Sequence, residues 1–96
     1  MKVIRRGKME DGTDIQIEDW SADYSFYGYG THLIAYPQNR FGERFRIEKV
    51  CEDNNWANIV FDSLKGIEDL IRFGFTTKSM GRDVPFLEKC KNDWRQ

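Results

Sequence analysis

His32 is the one histidine of the chain, and it follows the glycine-bearing stretch Gly28-Tyr29-Gly30-Thr31. An imidazole that titrates near neutrality acts as a general base when a nucleophile or an orienting carboxylate lies within hydrogen-bond reach. No such partner stands at a recognisable spacing, so His32 reads as a surface or packing residue of a strand. Gly28 and Gly30 make half of a phosphate-binding glycine loop. The dinucleotide fingerprint needs a third glycine that opens a helix, and here a β-type segment follows. Glu18 and Glu48 fall on one sheet face in the alternation described below, which is the raw material of two-carboxylate hydrolysis. Surface ion pairing is the plainer account of them. The acidic residues Glu10, Asp11, Asp14, Glu18, Asp19 and Asp23 lack the alternating ligands and closing Glu of a calcium loop. Cys51, Cys90 and His32 have no zinc-ligand spacing. The expectation is no catalytic residue, no cofactor and no metal.

The run Arg40-Phe41-Gly42-Glu43-Arg44-Phe45-Arg46 interleaves cations with aromatics, a combination that serves single-stranded nucleic acid by stacking bases and following phosphates. Arg5, Arg6 and Lys8 extend such a patch across a sheet. Against it, Phe45 alternates with the arginines and so points coreward. The chain also carries 15 basic and 16 acidic residues, for a net charge of −1, without the basic stripe of a backbone-binding protein.

A second aromatic run fits recognition better. Tyr24-Ser25-Phe26-Tyr27-Gly28-Tyr29 places four aromatic side chains among turn-forming small residues, with neither strand nor helix period. Tyr in a Ser/Gly-rich loop offers a large amphipathic contact at low entropic cost, and exposed aromatics of this kind mark interaction sites. The leading expectation is a non-catalytic, cytosolic module that binds another protein through Tyr24, Phe26, Tyr27, Tyr29, His32, Tyr36, Arg44 and Arg46. Single-stranded nucleic acid and a small ligand near His32 are the alternatives.

The elements that must hold these residues can be read from the patterning. Lys2 to Met9 and Thr13 to Trp20 are strands about Asp11-Gly12, a strong hairpin signal. A three-residue loop with left-handed Gly12 aligns Ile15 and Ile17 with Val3, Gly7 and Met9 and sets Lys8 opposite Asp14. It also turns Arg5 coreward. Thr31 to Pro37 and Glu43 to Cys51 complete a four-stranded antiparallel meander with one face partly open. Asp53 or Asn54 caps a helix with an apolar stripe of Trp56, Ile59, Val60 and Leu64. Gly66 then either ends it before a second helix or is passed through. Gly74 to Gly81 reads as a connector, and Asp83-Val84-Pro85 as the opening of a last helix with Phe86, Leu87, Cys90 and Trp94 on one face.

The expected fold is therefore α+β: a four-stranded β-meander over residues 1–51, then two or three helices of residues 52–96 packed on one face, in a single domain spanning 1–96. Hydrophobic residues make up 40% of the chain and charged residues 32%, a globular composition. Two scattered cysteines, no secretory leader and no apolar run of membrane-spanning length point to a soluble cytoplasmic protein.

Overall fold

The computed structural model describes residues 1–21 and 30–89. Six strands form one antiparallel sheet in sequential order: β1 (Lys2–Lys8), β2 (Asp14–Asp19), β3 (Thr31–Tyr36), β4 (Ile47–Cys51), β5 (Thr76–Ser79) and β6 (Arg82–Pro85). Helices α1 (Asn54–Ser63) and α2 (Ile67–Arg72) connect β4 to β5, and the short α3 (Phe86–Lys89) follows β6. The fold is α+β, with a larger sheet than the meander expected from the sequence.

The first hairpin takes the three-residue register. Lys8 stands opposite Asp14 and Gly7 opposite Ile15. The Met9 amide donates to the Thr13 carbonyl at 2.8 Å, and Gly12 has φ +90°, where only a residue without Cβ sits unstrained. A bulge at Ile4 shifts the pairing, so that Val3 faces Glu18 and leaves the apolar set.

One sheet face carries Ile15, Ile17, Leu33, Ala35 and Ile47 into the core, where they meet Ala57, Val60, Phe61 and Leu64 of α1 and its C-cap. The helical stripe is rotated by one position from the sequence expectation. Ala57 and Phe61 take the buried places, and Trp56 and Ile59 are exposed. The coreward direction of Arg5 also has its explanation here. Its guanidinium lies 3.9 Å above the Phe61 ring and donates to Asn58 at 2.7 Å and Asp62 at 2.6 Å. Beside it, a Cβ on Gly7 would come within 2.9 Å of Phe61 Cζ, so glycine at this position admits the ring.

Asp53 caps α1 by accepting from the Trp56 amide at 2.8 Å. The helix stops before Gly66, which is the N-cap of α2. In place of a connector and the start of a helix, residues 76–85 form a hairpin whose two-residue turn, Met80-Gly81, has φ +52° and +80°, the signs of a type I′ turn. Buried Phe75 and Phe86 flank the hairpin and fix it to the core. Its connection to the rest of the sheet is the single ladder pair Glu48↔Thr76. The fourth strand is also shorter than expected. Residues 44–46 leave the ladder, and their backbone is tied to the preceding strand by a Gln38↔Arg44 bridge and by the Phe45 amide on the Pro37 carbonyl. Among the described residues, no helix is long and apolar enough to cross a membrane.

Candidate functional site

The face of the sheet opposite α1 collects the polar side chains. Ladder pairs Asp14↔Tyr36, Gln16↔Ile34 and Glu18↔His32 put alternate residues of β2 and β3 on that face, and Ile34↔Glu48 continues it into β4. The sequence suggested an open face of solvated carboxylates. Instead, its centre is covered: Glu18, His32 and Ile34 are each at most 2% exposed.

Glu18 organises the cluster. Arg46 donates to both its oxygens, from Nη2 to Oε1 at 2.9 Å and from Nη1 to Oε2 at 3.3 Å. Trp20 Nε1 donates to Oε1 at 2.9 Å, and Gln16 Nε2 to Oε2. Burial pushes the Glu18 pKa up, but the donors of Arg46, Trp20 and Gln16 outweigh it and hold the carboxyl below its ordinary value. In return, the Glu18 carboxylate raises the pKa of Arg46. The Tyr36 hydroxyl accepts from Arg46 Nη1 at 2.9 Å and from Gln16 at 3.2 Å. A buried charge held by a fork of donors fixes the positions of those donors.

His32 sits beneath this surface. Trp20 stacks on its ring at 5.4 Å, and Nδ1 lies 3.5 Å from Glu48 Oε2. Its Nε2 is buried and has no hydrogen-bond partner among the described residues. The geometry orients the imidazole without opening it to a substrate, since a general base must reach the proton that it takes. Glu18 and Glu48 do share a face, as the alternation implied, and Arg46 stands between them, its Nη2 2.9 Å from Glu18 Oε1 and 3.9 Å from Glu48 Oε2. An intervening guanidinium occupies the place where a sugar would have to sit.

Toward the other end of the face, the side chains reach solvent. Arg6, Asp14, Gln16, Tyr36, Arg44 and Arg46 line a shallow groove of about 580 Å³. Arg44 pairs with Asp14 at 3.1 Å, and Lys8 pairs with the same carboxylate at 2.7 Å. These cations hold the Asp14 carboxyl below its ordinary value, Lys8 foremost through its hydrogen bond. The guanidinium groups of Arg44 and Arg46 lie over the Tyr36 ring at 5.2 and 6.0 Å. A second groove, of about 410 Å³, runs from Arg44 and Arg46 to Thr76 and Lys78 of β5.

Of the residues singled out in the sequence, Tyr36, Arg44 and Arg46 thus come together, with His32 buried behind them. Tyr24, Phe26, Tyr27 and Tyr29 lie outside the described residues, as do Cys90 and Trp94. Arg5 and Arg6, read together as one patch, part company: Arg5 joins α1 and Arg6 the groove. Sequence reasoning set Asp14 opposite Lys8 but passed over Gln16, Trp20 and the second pairing of Asp14, with Arg44. Their signal was the alternation Asp14, Gln16, Glu18 on β2, opposite in charge to Arg44 and Arg46. Comparison with protein-family models, curated proteins and solved structures finds no match for this chain.

Proposed function

We propose that this chain is a non-catalytic binding module for another protein, with Tyr36, Arg44 and Arg46 as contact residues and Tyr24, Phe26, Tyr27 and Tyr29 extending the contact. The observation that carries this reading is the division of labour on one face. Glu18 fixes Arg46 from below and Arg46 in turn donates to the Tyr36 hydroxyl, while Arg44, whose side chain is 53% exposed, faces solvent above. Arg and Tyr held in place in this way are the residue types that dominate binding energy at interfaces. The Trp20 amide donates to the Gly30 carbonyl at 2.8 Å, so the described residues on either side of the tyrosine-rich segment meet at the His32 end of the sheet. From Gly30 to Tyr36 is six residues, about 20 Å of extended chain.

Single-stranded nucleic acid is the second reading, favoured by the convergence of Arg6, Arg44 and Arg46 on one groove. Two observations weigh against it. The arginines themselves cover the Tyr36 ring, leaving that face closed to a base, and Phe45 is partly buried against the core.

Affinity capture from nuclease-treated lysate tests the proposal. Wild type is compared with Arg44→Gln and with a Tyr24→Ser, Tyr27→Ser, Tyr29→Ser variant, each shown to be folded. A protein captured by wild type and lost from both variants is the expected result. Capture that is unchanged in both would overturn the assignment. Recovery of nucleic acid from an untreated lysate that falls away steeply with salt would favour the second reading.

A further inference from the structure

The groove at the solvent end of the face has a charge pattern that specifies its occupant. Arg46 is engaged by Glu18, so the charge presented to solvent comes from Arg6, Lys8, Arg44 and Asp14. Lys8 and Arg44 both fall on Asp14, and Arg6 has no ion pair among the described residues. Within the groove lining, Arg6 and Arg44 stand against Asp14, with Lys8 reaching the same carboxylate from outside the lining and Asp11 in the adjoining cleft, so cations are in excess around the concave surface. Both pairs of Asp14 are exposed, and exposed ion pairs hold weakly enough for an external carboxylate to exchange with them.

Resting on the reading of this face as a protein-binding surface, we propose that the groove takes an acidic peptide segment of the partner. The carboxylates of that segment seat on Arg6 and Arg44, and Asp14 is the internal carboxylate with which they compete. A guanidinium presents a planar fork of donors that matches a carboxylate's two oxygens. A nucleic-acid strand would need aromatic faces as well as charge, and the Tyr36 ring already lies under Arg44 and Arg46.

Two sign-opposed substitutions test this. Arg6→Gln removes an anchor and weakens binding, whereas Asp14→Asn frees Lys8 and Arg44 and strengthens it. Asp62→Asn is the matched control: it makes the same change in net charge but frees Arg5 on the α1 side of the sheet. The probe is fluorescein-labelled octaglutamate, read by anisotropy beside octathymidylate and octaglutamine of the same label, with each variant first shown to melt as wild type does. Expected are binding of octaglutamate in preference to the other two, a loss of about three- to fivefold in Arg6→Gln, a gain of similar size in Asp14→Asn, and no change in Asp62→Asn. Absence of octaglutamate binding in both wild type and Asp14→Asn would overturn the proposal. So would tighter binding of octathymidylate, or an equal gain in Asp62→Asn. If lysate capture still depends on Arg44 while octaglutamate fails, the face remains a binding surface and only its acidic occupant is lost.

Discussion

Arg46 grips Glu18 through both carboxylate oxygens, and the two residues differ sharply in exposure: the Glu18 side chain is 1% exposed and that of Arg46 43%. One end of the pair belongs to the interior and the other to the surface, so the pair transmits the rigidity of the sheet to the residues around the groove.

Glu18→Gln keeps the shape but replaces two acceptor oxygens with one and turns an amide N–H₂ toward donors. It is expected to cost about 2–4 kcal/mol, the range for breaking a buried pair whose partner still reaches water. Urea denaturation of wild type and variant measures this. A midpoint unchanged by the substitution would show that the buried carboxylate contributes nothing to stability.

The same pair sets an acid limit. The Glu18 pKa is lowered in the folded state, so its contribution is present in full above the ordinary glutamate value of 4.5 and is lost as pH falls through the lower folded value. The difference in Tm between wild type and Glu18→Gln should therefore hold steady from neutrality to about pH 5 and shrink below it. A difference that grows on acidification would contradict the assignment.

Adjacent arginines of β1 should behave oppositely. Arg5→Ala loses the stacking on Phe61 and the bonds to Asn58 and Asp62, and is expected to cost about 1–2 kcal/mol. Arg6→Ala should stay within about 0.5 kcal/mol, as surface substitutions do. Thermal melts of the two variants check this, and equal losses would contradict the placement.

Much of this architecture was legible from residue patterns alone. Asp11-Gly12 fixed the first hairpin, because only the three-residue loop puts Ile15 and Ile17 on the face of Gly7 and Met9 rather than on that of Arg6 and Lys8, and Asp53 announced the start of α1. The β5–β6 hairpin was not legible. Thr76-Thr77-Lys78-Ser79 has no apolar alternation, and Met80-Gly81 lacks the Asn or Asp that usually opens such a turn. The centre of the site was hidden for a different reason. A glutamate on a strand reads as solvated, and its burial depends on donors from Trp20 and from Arg46, which lies 28 positions away in the chain. Periodicity carries no information about such a partner.

That turn makes its own prediction. Met80 adopts a left-handed conformation with its side chain 95% exposed, so Met80→Asn should stabilise the fold by about 0.5–1 kcal/mol. A rise in Tm is expected, and a fall would mean that the methionine makes a contact worth more than the strain.

The most direct test of the account pairs stability and capture on a single substitution, Arg44→Gln. Arg44 stands in the groove but outside the Glu18 network, so the variant is predicted to melt within a degree or two of wild type and to lose the captured protein partner. Retention of the same partner at the same yield by a fully folded Arg44→Gln variant would contradict the claim that this face is the binding surface.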